Sequence, residues 1–235
     1  MKKVLSTMAI LATATAVFAQ GYLAFNATTI PIAATNTAVS TLFGGTGSGG
    51  VAGNTFGSAT ATYYFALLIS PYTGTITSDT SVWDGTWSVG QGTAGSITTV
   101  NAAGAGRVSA AIAAGASPFQ TIGWANGTYM NMVLVGWSAN LGSTFAAVEP
   151  YLIASAAHTN LTAGFFGESD LGYLTPNLAS PGAQIFGAAA DANGTPIDNG
   201  SANPMYLYSL PVPEPATMAL AGLGGLALLL IRRRK

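Results

Sequence analysis

Thr128-Tyr-Met-Asn-Met-Val-Leu-Val-Gly-Trp-Ser138 is the stretch on which the fold class turns. At a period of two, Tyr129, Val133, Val135 and Trp137 point one way and Met130, Met132 and Leu134 the other. Both faces are apolar, so the segment is expected to be a central strand covered on both sides. Asn126-Gly127 just before it is a hairpin-turn signal. Asn140-Leu141-Gly142 just after it predicts a second turn, with Thr144 to Val148 returning as a paired strand.

Outward from this centre, Ala61 to Ser70 is nearly continuous in its apolarity and stops at Pro71, which predicts a second strand buried on both faces. Shorter strands are expected at Tyr22 to Asn26, Ser96 to Val100, Ala183 to Ala190 and Met205 to Leu210. Arg107 to Ala116 is rich in alanine, but its glycines and its strand-rich surroundings favour strand or loop. Phe165 to Asp170 reads as a polar-tipped loop, and Asp191 to Asn203 as a turn-rich one. The expected fold is therefore all-β, an antiparallel β-sandwich of jelly-roll type. Helix is expected only in the two hydrophobic ends, as an N-terminal signal peptide and a C-terminal transmembrane helix.

Charge narrows the function classes. Of seven Lys and Arg residues in the 235-residue chain, Arg107 is the only one between residues 20 and 210. Seven acids stand against it there, a net −6. Nucleic-acid binding relies on cations that neutralise phosphates, so that class is excluded. No stretch between Gln20 and Leu210 approaches 18 uninterrupted apolar residues; the polar content is Thr, Ser, Asn and Gly, which suits strands and turns. There is no cysteine, so packing alone holds the fold.

Few residues carry chemistry. Gly45, Gly47 and Gly50 satisfy G-x-G-x-x-G, but no helix pattern or ribose-binding acid follows and no P-loop Lys is present, so the segment reads as a turn-forming loop. Trp83 and Trp87 flank Asp84-Gly85, a turn signal. Their indole faces could stack on sugars while Asp84 bonds hydroxyls, or both could be core. The single histidine, His158, comes with no nucleophile-elbow sequence, and no local signal pairs two carboxylates for glycoside hydrolysis. Asp191, Asn193, Asp198 and Asn199 offer oxygen donors, but the calcium-loop Gly and Glu are missing. Neither catalytic residues, a cofactor nor a metal is expected.

The ends are more specific. Met1-Lys2-Lys3, an apolar run from Val4 to Val17 and Val17-Phe18-Ala19 before Gln20 fit a secretory signal peptide cut between Ala19 and Gln20. At the other end, Val212-Pro213-Glu214-Pro215 precedes an apolar run from Ala216 to Ile231, and Arg232-Arg233-Arg234-Lys235 follows. The prolines forbid helix and leave an extended, protease-accessible peptide. The apolar run would be about 24 Å long as a helix, against a hydrocarbon core of ~30 Å. The basic cluster fixes its orientation as C-terminus inside.

This ending resembles the PEP-CTERM sorting signal of bacterial envelope and matrix proteins. The resemblance implies recognition of Val212 to Pro215 by an exosortase-like membrane protease and transpeptidase, which cuts near Pro213-Glu214-Pro215. It also implies export, a transient inner-membrane stage held by the tail, and delivery to the outer surface or matrix. Three segments follow: signal peptide 1–19, ectodomain 20–210 and sorting segment 211–235. The expected function is that of a non-enzymatic cell-surface or extracellular-matrix protein, with exopolysaccharide as a further candidate partner. A carbohydrate-binding module using Trp83 and Trp87, and a carbohydrate-active enzyme, stay open as alternatives.

Overall fold

A computed structural model describes residues 21–24, 33–53, 63–92, 95–96, 98–101, 108–110, 119–121, 123–179, 182–187, 192–197 and 205–212. Sixteen strands occur among them. The first nine are β1 (Tyr22–Ala24), β2 (Ala33–Val39), β3 (Ala52–Gly53), β4 (Tyr63–Pro71), β5 (Ser88–Val89), β6 (Gln91–Gly92), β7 (Gly95–Ser96), β8 (Thr98–Asn101) and β9 (Val108–Ala110). They are followed by β10 (Phe119–Gln120), β11 (Met130–Ser138), β12 (Phe165–Glu168), β13 (Gly172–Leu174), β14 (Ala183–Gln184), β15 (Gly194–Thr195) and β16 (Met205–Ser209). One α-helix, Phe145–Ala156, lies between β11 and β12.

The expected central strand is central. β11 pairs with β4 along its whole length, from Met130↔Pro71 to Ser138↔Tyr63. Its other edge is shared, β13 taking Met130 to Met132 and β12 taking Val135 to Trp137. Ser169 fills the gap between them: its N–H donates to the Leu134 carbonyl at 2.8 Å, and its Oγ accepts from the Leu134 N–H at 2.9 Å. A buried strand cannot leave such groups unpaired without a cost of about 1–3 kcal/mol each, so one serine side chain substitutes for a missing ladder rung.

The period-two alternation of β11 divides the interior. Met132 and Leu134 join Leu23, Phe65, Leu67, Trp124, Ile185 and Leu207 in one core. Val133, Val135 and Trp137 join Leu68, Trp87, Phe145, Val148 and Leu152 in the other. A three-stranded sheet, β10-β1-β14, contributes Leu23 and Ala183 to the first core. The helix and the loop carrying Val82 and Trp87 contribute to the second.

This arrangement corrects the expected sandwich. A jelly roll packs two sheets of comparable size face to face. Here the long strands share one curled, unclosed sheet of eleven strands, with a main path β3-β2-β16-β12-β11-β4-β8-β9. Nor is it purely antiparallel, because β16 runs parallel to β2 and β14 parallel to β1. The sheet covers its second face with a helix instead of another sheet.

The helix also replaces the strand expected at Thr144 to Val148. Thr144 is extended, and its side chain accepts from the Ala147 N–H, which caps the first turn. Phe145, Val148, Leu152 and Ser155 then fall on one buried face at helical spacing. Phe165 to Glu168, expected as loop, is β12, paired on both sides by β11 and β16. At Asn126-Gly127 the chain does turn, with Gly127 in the left-handed region at φ 83, but the strand before it, β10, pairs with β1 and makes no hairpin with β11.

The expectation of a C-terminal transmembrane helix is corrected as well. Among the described residues no helix is long and apolar enough to cross a membrane. The run it rested on, 216–231, lies outside the described residues, as do the signal peptide and all of the Arg107 to Ala116 segment except β9. Its 16 residues are in any case short of a bilayer core.

Candidate functional site

The residues from Tyr72 to Thr86 form a long connection held to the end of the main sheet by its own side chains. Asn131 is 2% exposed, and its Nδ2 donates to the Pro71 carbonyl at 2.8 Å while its Oδ1 accepts from the Thr77 N–H at 3.2 Å. A buried amide with both ends engaged is a positioning device. Asp79 then orders the turn, its Oδ1 accepting from the Ser81 N–H at 2.8 Å. Thr86 Oγ1 lies 2.9 Å from Asp79 Oδ2 and 2.6 Å from Asp84 Oδ1, and donates to one of them at a time. The Thr86 side chain, then its N–H, holds the Asp84 carboxyl below the usual carboxylate range.

Two concavities flank this connection. One, of about 450 Å³, is lined by Ser70, Thr73, Thr75, Thr77, Asp79 and Asn131. The other, of about 340 Å³, is lined by residues including Ser40, Thr80, Glu168, Ser169, Asp170 and Tyr206. Glu168 stands opposite Val135 at the end of β12, so its side chain shares the face of the second core. Its Oε1 is enclosed without a hydrogen-bond partner. Burial first, and the Asp79 carboxylate second, push its pKa up to about 8. At neutral pH Glu168 is therefore mostly a neutral acid, able to donate a hydrogen bond.

The tryptophan pair divides between roles. Trp87 is 6% exposed, and its Nε1 is enclosed without a partner. Trp83 is half-buried and packs on Phe43, with ring centroids 4.9 Å apart. Asp84 is exposed beside Gly85, whose φ of 85 makes the expected turn. The glycine-rich segment folds back on β2: Gly44 takes a left-handed φ of 81 and the Gly47 N–H donates to the Val39 carbonyl at 3.1 Å. Among the described residues no helix follows it to receive a phosphate. His158 is exposed and terminates the helix with φ 54. Among the described residues no group of three His, Cys, Asp or Glu side chains comes together that could hold a metal.

Asn131 and Glu168 were missed in the sequence. Asn131 carried a signal, a polar residue between two methionines in an apolar strand. Glu168 carried none, because an acid after Gly167 reads as exposed.

At the C-terminus, β16 lies between β12 and β2, and Leu210, 2% exposed, donates its N–H to the Gly164 carbonyl at 2.9 Å. Val212, the last described residue, is 41% exposed. Residues 211–235 match the family model for the PEP-CTERM protein-sorting motif. The chain carries a PEP-CTERM sorting signal. That motif supports export and sorting through an exosortase-type system, and the tail itself is a sorting signal without catalysis. PEP-CTERM proteins are typically exported and associated with the cell surface. No curated protein and no solved structure matches the chain. Pro213, Glu214 and Pro215, the cluster Arg232 to Lys235, and the Ala19–Gln20 bond lie outside the described residues.

Proposed function

We propose that the chain is a non-enzymatic protein of the cell surface or extracellular matrix, made as a signal peptide (1–19), a folded ectodomain (20–210) and a removable sorting segment (211–235). The observation that carries the reading is the position of the motif. It begins at residue 211, directly after the buried Leu210, and Val212 is already exposed. A protease that cuts after Val212 would remove none of the described core residues. Proline at 213 and 215 keeps the peptide there extended. Arg232, Arg233, Arg234 and Lys235 orient the tail, and an exosortase-like enzyme is the partner that reads Val212 to Pro215.

Replacement of Pro213-Glu214-Pro215 by three alanines in the native host tests this. The variant is expected to accumulate with its tail attached and to be lost from the surface fraction. Unchanged processing and delivery would remove the motif from the sorting step. A matrix location also supports exopolysaccharide as a second partner, because the ectodomain surface is nearly free of cations and rich in hydroxyls.

A further inference from the structure

The end of the main sheet carries three tyrosines that neither core uses. Tyr173 stands opposite Asn131 across the β11–β13 pair. Its ring stacks on Tyr72 with centroids 4.3 Å apart and planes 3° from parallel. Tyr129 lies 6.1 Å from Tyr72 and 5.9 Å from Tyr173, tilted by 50° and 51°. The three rings therefore pack against one another as one aromatic cluster. Tyr129 is 38% exposed, and Tyr72 and Tyr173 are half-buried. The Tyr72 phenol, hydrogen-bonded to Tyr173, is pushed above its ordinary pKa by partial desolvation and then by its neighbours.

The larger concavity lies beside this cluster. Tyr72 lies between Pro71 and Thr73, both of which line it, and Asn131 joins the two features. Its wall is hydroxyl and amide, with Asp79 as the one ionisable group. An apolar ligand would strand these polar groups, and a polyanion would meet Asp79 with no cation to balance it. A neutral sugar chain satisfies both halves, its C–H faces lying on aromatic rings and its hydroxyls meeting Thr and Asn side chains. Partly exposed rings that contribute to no core and stand beside a polar groove suit such stacking.

We propose that the exposed side of the Tyr72, Tyr129 and Tyr173 cluster, with the groove lined by Thr73, Thr75, Thr77 and Asp79, is a binding site for a neutral polysaccharide chain. This does not depend on how the tail is processed, so its failure leaves the sorting reading standing.

Isothermal titration of the exported protein recovered from its host, with cellohexaose, xylohexaose, mannohexaose and hexagalacturonate, tests it. Saturable binding of at least one neutral hexasaccharide is expected, with none of hexagalacturonate. Tyr129→Ala, at an exposed position, should weaken binding about tenfold, the effect of losing roughly 1.4 kcal/mol of ring contact. Tyr129→Phe keeps the ring and should stay within about threefold of wild type, a change below ~0.7 kcal/mol. Absence of binding to all three neutral sugars would overturn the proposal. So would binding confined to hexagalacturonate, equal affinity in Tyr129→Ala, or a loss in Trp83→Ala that Tyr129→Ala does not share.

Discussion

Trp137→Ala is expected to destabilise the protein by about 3–5 kcal/mol, a large share of a typical domain's total stability. Trp137 is fully buried at the end of β11. Its ring stacks near Tyr64 at 6.4 Å and meets Phe145 edge-on at 6.1 Å, so it joins the sheet to the first turn of the helix. Its Nε1 also donates to the Gly142 carbonyl at 2.8 Å, which fixes the connection between them. Truncation would leave a cavity between two layers that have no other aromatic bridge of this kind among the described residues. Trp137→Phe, which keeps most of the volume and loses the hydrogen bond, should cost about 1–3 kcal/mol. Urea unfolding measures both, through a lower midpoint at nearly unchanged slope. A loss under about 1 kcal/mol for Trp137→Ala would mean that the helix does not pack on the sheet as described.

Glu168→Gln is expected to stabilise the protein at neutral pH and to do nothing in mild acid. The folded-state pKa of about 8 lies above the ordinary value of 4.5, so between those values the native state holds a proton that the unfolded chain has released. Unfolding then releases protons, and the Glu168 contribution to stability falls as pH rises. It is fully present below about pH 4.5, declines through neutrality and is gone above about pH 8. The loss reaches roughly 3–3.5 kcal/mol by pH 7, taking about 1.4 kcal/mol per pH unit over the interval. Glutamine cannot ionise, so the difference between variant and wild type should grow from near zero below about pH 4 to its plateau above about pH 8. Equal pH slopes for the two proteins would show that Glu168 is solvated and ionised like a surface acid.

What could be read in advance was local. The alternation in residues 130–138 sorts Met132 and Leu134 from Val133, Val135 and Trp137, and the two cores keep that sorting. Tyr63–Pro71 is apolar because it is β11's full-length partner, covered on both faces. The Asp84-Gly85 turn is fixed by the φ that glycine permits. The architecture was not legible, because it depends on which strands meet. β16 finds β2 from the far end of the chain, and in parallel, a choice that hydrophobic period does not encode.

The helix was hidden by its content. Pro150 interrupts its middle, and Thr144 and Val148 favour strand by propensity, yet burial of Phe145, Val148 and Leu152 against the sheet outweighs both. Glu168 was misplaced for a related reason: an acid ordinarily marks an exposed loop, but pairing on both sides of β12 carried this one inward. The tyrosine cluster assembles residues from three separate segments, so no short stretch announced it. The sorting motif at 211–235 was legible, since a peptide motif is read from its sequence and requires no fold.

The central claim is that residues 211–235 are a sorting signal removed from a folded ectodomain. The intact mass of the protein recovered from the surface fraction of its own host tests it most directly. The account predicts a chain that begins near Gln20 and ends between Val212 and Pro215, with any added mass identifying a transferred group. A recovered chain that still carries Arg232, Arg233, Arg234 and Lys235 would contradict it.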